Sequence, residues 1–189
     1  MTSAVSICNL ALMRLGTAPI TSLSEDTKAA TVCNAFYEPC RDALLRSHPW
    51  NFAIKRVELA QDSTEPEFEF AYRYALPADF QKIVRTEDES ASCFTEYRIE
   101  NGYLLTNAGT VKIEYHAKET DPNKFDSLFV MSLALSIAIA ACMWLTDNAA
   151  LKQSLQEEYG NMLPEARSVD AQEGTPRNIE ADAWVVARL

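Results

Sequence analysis

Apolar residues near the start of the chain recur at helical spacing. Val5, Cys8, Leu12 and Leu15 stand three and four apart over residues 3–15, and Gly16 supplies a stop. After a turn with Pro19, "SLSE" offers a capping box, with Ser22 as N-cap, Glu25 three positions on and Ser24 as the competing cap. The next helix runs to about Ser47, with Ala29, Cys33, Phe36, Cys40 and Leu44 along one face. Pro39 lies inside it, removes one backbone hydrogen bond and predicts a kink. His48 precedes Pro49, which pushes it out of the α region, so the helix ends there.

The period then changes from helix to strand. "NFAIKRVELA" reads as a strand whose alternation changes phase between Ile54 and Val57, predicting a bulge or a twist. "FEFAYRYALPADF" supplies another strand, ending at Pro77. Asn101-Gly102 between "FTEYRIE" and "YLLT" is a strong hairpin signal, and Asn107-Ala108-Gly109 predicts a second, three-residue hairpin loop. In "TVKIEYHAK", Val111, Ile113 and Tyr115 face one way and Lys112, Glu114 and His116 the other, so His116 is expected in solvent. The acid-rich pieces "DSTEPEFE" and "RTEDESAS" read as loops.

Helical spacing returns after Asp121-Pro122, an N-cap followed by proline, with a buried helix expected over 123–146. A fourth helix from near Asp147 carries Leu151, Leu155, Tyr159, Met162, Ala166 and Val169 as its apolar stripe, with Gly160 and Pro164 inside. The expected fold is α+β: an antiparallel bundle of about four helices with an inserted antiparallel β-meander and an extended C-terminal tail. The bundle takes residues 1–48 and 121–173, the β-rich insert 49–120 and the tail 174–189. Pro49, Trp50 and Phe52 are placed at the junction of bundle and insert, with Pro49 fixing the turn and the two rings plugging it.

Residues 128–145 carry no charge, a length sufficient to cross a bilayer. Ser132, Ser136 and Ala140 draw a stripe of small side chains along one face, which suits a close helix neighbour, and no Lys/Arg clusters flank the run. A fully buried central helix is the expectation, and no membrane partner. The N-terminal "MTSAVSICNLALMRLG" lacks a basic leading region and has Asn9 within its apolar stretch, so it does not read as a secretory leader.

Composition narrows the function classes. Asp and Glu outnumber Lys and Arg by 27 to 17 and the sequence pI is about 4.7. Affinity for nucleic acid needs clustered positive charge, and no basic run occurs. Five cysteines, Cys8, Cys33, Cys40, Cys93 and Cys142, form no CxxC pair and read as free thiols packed as small hydrophobes.

Candidate chemistry is sparse. His48 is a candidate base, but no nucleophile motif surrounds it; the plainer reading is a turn histidine that caps the preceding helix or meets solvent. Two histidines this far apart, without cysteine clusters, give no zinc site. Neither GxxxxGK[ST] nor GxGxxG occurs among the five glycines. Glu65, Glu67, Glu69, Glu87, Asp88 and Glu89 could pair across a cleft as in glycosidases, or be solvated loop acids. No catalytic, metal or cofactor site is assigned. The tail stands out: Trp184, Val185, Val186 and Leu189 at the chain's end favour burial. Two readings stay open, folding back on the bundle or docking on another subunit.

Several segments in order carry a resemblance. "ICNLALMRLGTAPITSLSEDTKAATVCNAFYEPCRDALLRSHPWNFAIKRVELA", "YRYALPADFQKIVR", "YRIENGYLLTNAGTVKIEYHAKETDP" and the alanine-rich helix together resemble the tail tubular protein A family. Its members are the head-to-tail adaptors, or connectors, of short-tailed bacteriophages. The likeness extends to about Gly174 and includes no catalytic signature. It implies a helical bundle with a β-rich insert. It also implies a virion protein, made in the host cytoplasm, that forms a homo-oligomeric ring, commonly of twelve copies. Such a ring sits under the portal protein, meets a downstream tail or nozzle protein, and continues the channel through which DNA passes without specific binding during ejection. In related adaptors a C-terminal extension reaches the portal, so Arg177, Ile179, Trp184, Val185, Val186 and Leu189 become the expected contact with portal or a neighbouring subunit. The alternatives are a cell-envelope hydrolase associated with the phage tail, or a non-adaptor tail assembly protein.

Overall fold

The structure is a computed structural model and describes residues 2–87 and 96–173. Over these described residues the fold is α+β, with four helices and two small antiparallel sheets.

Each helix start is made by a side chain that satisfies amides left open in the first turn. Helix α1 (Ala4–Arg14) begins with Ser3, whose hydroxyl accepts from the Ser6 amide while Ser6 returns the bond. It ends at Gly16, whose φ of +67° suits a residue without a Cβ. Helix α2 (Lys28–Ser47) begins with Thr27 accepting from the Ala30 amide. The expected cap at Ser22 therefore moves. Glu25 does fold back onto the Ser22 amide, but it also takes the Thr21 amide and hydroxyl, which closes a turn instead of opening the helix. Asp121-Pro122 likewise opens only a single 3₁₀ turn, Pro122–Lys124. Helix α3 (Ser127–Leu145) starts at Asp126, which accepts from the Leu128 and Phe129 amides. Helix α4 (Ala149–Gln172) is capped by Asn148 and contains Gly160 and Pro164.

Helices α1, α2 and α4 all pack on α3. Their shared core holds Ile7, Leu12, Leu45, Leu133, Leu135 and Ile137, each wholly shielded from water. Every large apolar side chain so buried contributes about 1.5–3 kcal/mol before ordering costs. Among the described residues α3 is the one helix long and apolar enough to cross a membrane, and about half of its apolar stretch is buried within the fold. The expectation of full burial is corrected at its far end, where Met143 and Trp144 emerge, Trp144 to 61% exposure. Of the small-residue stripe, Ser132 is buried while Ser136 and Ala140 are only partly covered. Cys8, Cys33, Cys40 and Cys142 are free thiols within or against the helical core; Cys93 lies outside the described residues.

The strands are β1 (Ile54–Glu58), β2 (Tyr72–Ala75), β3 (Phe80–Glu87), β4 (Tyr97–Glu100), β5 (Tyr103–Thr106) and β6 (Lys112–Ala117). They form two sheets, β1-β6-β3 and β2-β5-β4, in place of the single meander expected. The β4–β5 hairpin turns at Asn101-Gly102 as the sequence predicts, with φ of 48° and 81°. The second predicted hairpin does not form, because β5 and β6 belong to different sheets. Residues 107–111 make a corner between them. Ala108 and Val111 are buried in the β core, the Tyr74 hydroxyl donates to the Ala108 carbonyl (2.8 Å), and the Ala71 amide donates to Asn107 Oδ1 (2.9 Å).

Strand β1 pairs with β6 without a register shift, so of the expected bulge or twist the bulge is absent. Ala53 belongs to the helical core and Val57 packs on the β core, so the phase change marks a handover between cores. The register shifts that do occur lie in β3.

Candidate functional site

Where α2 gives way to β1, polar and aromatic groups from several elements come together. Helix α2 ends when His48 takes extended backbone, and a 3₁₀ turn, Asn51–Ala53, leads into β1. Trp50 is fully buried at this corner, and its indole N–H donates to the Leu44 carbonyl at 3.0 Å, one of the carbonyls α2 leaves open. Its ring meets Phe129 of α3 edge-on at 5.1 Å, and Phe52 lies 5.0 Å from Phe129 and 5.6 Å from Phe125. Trp50 and Phe52 both pack in the helical core just after α2, with Phe125 and Phe129 completing the cluster.

His48 neither caps α2 with its side chain nor simply meets solvent. Its Nε2 lies 3.0 Å from Asp170 Oδ2, on the last turn of α4, and its ring sits edge-on to Trp50 at 4.9 Å. Asp170 is 8% exposed and has further partners: Oδ1 accepts from the Asn51 amide at 3.0 Å, and its main-chain carbonyl accepts from the Asn51 side chain. A buried carboxylate needs such donors to offset lost hydration. The arrangement ties the end of α4 to the exit of α2.

His116, expected in solvent, is 1% exposed. Strand β6 is the middle strand of its sheet, and both faces of its C-terminal end are covered. Its cross-strand neighbours are Ile54 and Lys82, and its Nε2 has no hydrogen-bond partner. Burial holds the imidazole down to about 4, with the charges of His48 and Lys82 acting in the same direction. A neutral ring is the outcome at ordinary pH.

A second polar knot stiffens the same sheet. Asp79 accepts from Lys55 (2.7 Å) and from the Tyr115 hydroxyl (3.0 Å). Burial first, then Asp79, pushes Tyr115 up to about 12. On that sheet a cleft of about 300 Å³ is lined by Arg56, Val57, Glu58, Arg85, Lys112, Ile113 and Glu114, with charges of both signs.

The remaining expected site residues are not brought together. Glu65, Glu67 and Glu69 are exposed on a loop, with Glu69 paired to Arg98 at 3.1 Å. Asp88 and Glu89 lie outside the described residues, as do Arg177, Ile179, Trp184, Val185, Val186 and Leu189. Among the described residues no group of three or more His, Cys, Asp or Glu side chains is placed to hold a metal ion. Asp170 is the junction residue that sequence reasoning passed over; its one signal is an acid interrupting the apolar stripe of α4 one residue after Val169. What the junction can do with these groups is hold elements distant in sequence in fixed relation. No protein-family model matches the chain and no curated protein matches it in sequence, so its function is read from this geometry and from the order of its segments.

Proposed function

We propose that the chain is a structural head-to-tail adaptor of a short-tailed bacteriophage. It forms a ring under the portal, joins head to tail and continues the DNA channel. The observation that carries this reading is the ordered resemblance running from Ile7 through the alanine-rich helix. Its support is an element order of two helices, six strands and two helices in which α3 is the shared partner of the other three. We read those helices as one bundle over residues 1–48 and 121–173, with 49–120 as its insert. The acidic balance, 27 against 17, suits a channel lining that lets phosphates slide instead of gripping them. In this reading the protein performs no catalysis, needs no cofactor, and spends its residues on shape and on gripping neighbours.

Electron microscopy of the purified chain mixed with the portal protein of the same phage tests the proposal. The expected image is a ring, commonly of twelve copies, seated on the narrow end of the portal. Portal particles that remain bare at saturating chain concentration overturn it.

A further inference from the structure

Sheet β2-β5-β4 has two edges, and only one is covered among the described residues. Along β2, the Asp62 amide donates to the Arg73 carbonyl at 2.9 Å and Gln61 bridges Tyr74, so a returning segment uses that edge. Along β4 all four residues are exposed, and among the described residues no backbone group bonds to the outer side. Tyr97 and Ile99 are 41% and 42% exposed, although they stand on the same face as buried Leu104 and Thr106. An open edge with apolar side chains is a template for pairing with another chain.

The hairpin fixes which groups that template offers. Across a two-residue turn the flanking residues, Glu100 and Tyr103, form a hydrogen-bonded pair. Alternation then directs the backbone of Arg98 and Glu100 toward β5 and that of Tyr97 and Ile99 outward. The Glu96 carbonyl, accepting from the Thr106 hydroxyl at 2.8 Å, agrees with this phase.

We propose that β4 pairs edge to edge with β4 of a second copy of this chain, antiparallel and centred on Ile99. In that register Ile99 exchanges both backbone bonds with its symmetry mate. Arg98 falls opposite Glu100 of the second copy, and Glu100 opposite its Arg98, as close pairs without backbone bonds between them. The short sequence "YRIE" is therefore self-complementary in charge about its own centre, with Tyr97 and Ile99 covered on the other face. Within one copy Arg98 already reaches Glu69 (3.1 Å) and Glu100 (3.6 Å), so its guanidinium stands on the same face of the sheet as the Glu100 carboxylate it would meet across the seam. A two-fold contact joins two copies and stops, so this dimer is independent of the adaptor reading, whose ring needs other surfaces.

Sedimentation of the full chain over a wide concentration range, with amide hydrogen exchange, tests this. The expected result is a concentration-dependent monomer–dimer equilibrium. Arg98→Glu, which sets acid against acid twice over, weakens it about tenfold, and adding Glu100→Arg restores it. In the unaltered chain the Ile99 amide gains protection as concentration rises, whereas the Arg98 amide is protected throughout. A chain that stays monomeric, association indifferent to Arg98→Glu, or an Ile99 amide whose exchange ignores concentration overturns the proposal.

Discussion

A buried histidine without a partner for one ring nitrogen makes stability depend on pH in a readable window. The His116 imidazole is held down to about 4 in the fold, against 6.5 unperturbed, so the unfolded chain binds the proton first. The stabilisation is fully present above about pH 6.5 and is lost as the pH falls through about 4, a swing on the order of 3 kcal/mol. The held-down carboxylates, Asp79 and Glu119 among them, have the same sign but act lower, since their stabilisation is lost only as pH falls below their ordinary range. Urea unfolding of the chain and of His116→Leu between pH 7 and 4.5 separates them: the variant should lose most of the slope. An equal slope in both would put the titrating group elsewhere. In the sequence, alternation assigns His116 to the wet face; it carries no sign that the end of a middle strand is covered on both sides. The His48–Asp170 contact is hidden for a related reason, because it spans 122 residues and depends on how α4 lies on α3.

At the scale of elements, local chemistry was legible and strand partnership was not. The end of α2 at His48-Pro49 and the Asn101-Gly102 turn both follow from neighbouring residues. The assignment of β5 and β6 to separate sheets does not, because Asn107-Ala108-Gly109 suits a hairpin and a corner equally well until its partners are known. Tyr74 supplies one of them. Removing its hydroxyl with Tyr74→Phe leaves the Ala108 carbonyl without that donor in a residue 6% exposed. The expected loss is about 1–3 kcal/mol, seen as a lower urea midpoint at unchanged m, since no surface is newly exposed in the native state. No loss would mean the corner is held by its apolar side chains alone.

At the scale of the whole molecule, the polar node at the end of α4 decides how the tail can be tested. Asp170 is bound by His48 and Asn51, so the last turn of α4 is held to the junction by contacts that owe nothing to residues 177–189. Among the described residues the helical core extends as far as Ala166. If the tail docks on another protein, truncation after Pro176 should leave the melting temperature within a few degrees, since removing even one large apolar side chain from the core would move it by more. If Trp184, Val185, Val186 and Leu189 dock on the portal, the same truncation abolishes binding to portal while the fold persists. A drop of many degrees, with portal binding lost only in proportion to unfolding, would instead assign these side chains to the bundle of their own chain. The two readings of the tail thus separate on one variant measured twice, once by melting and once by portal binding, because the Asp170 contacts to His48 and Asn51 involve no residue that the truncation removes.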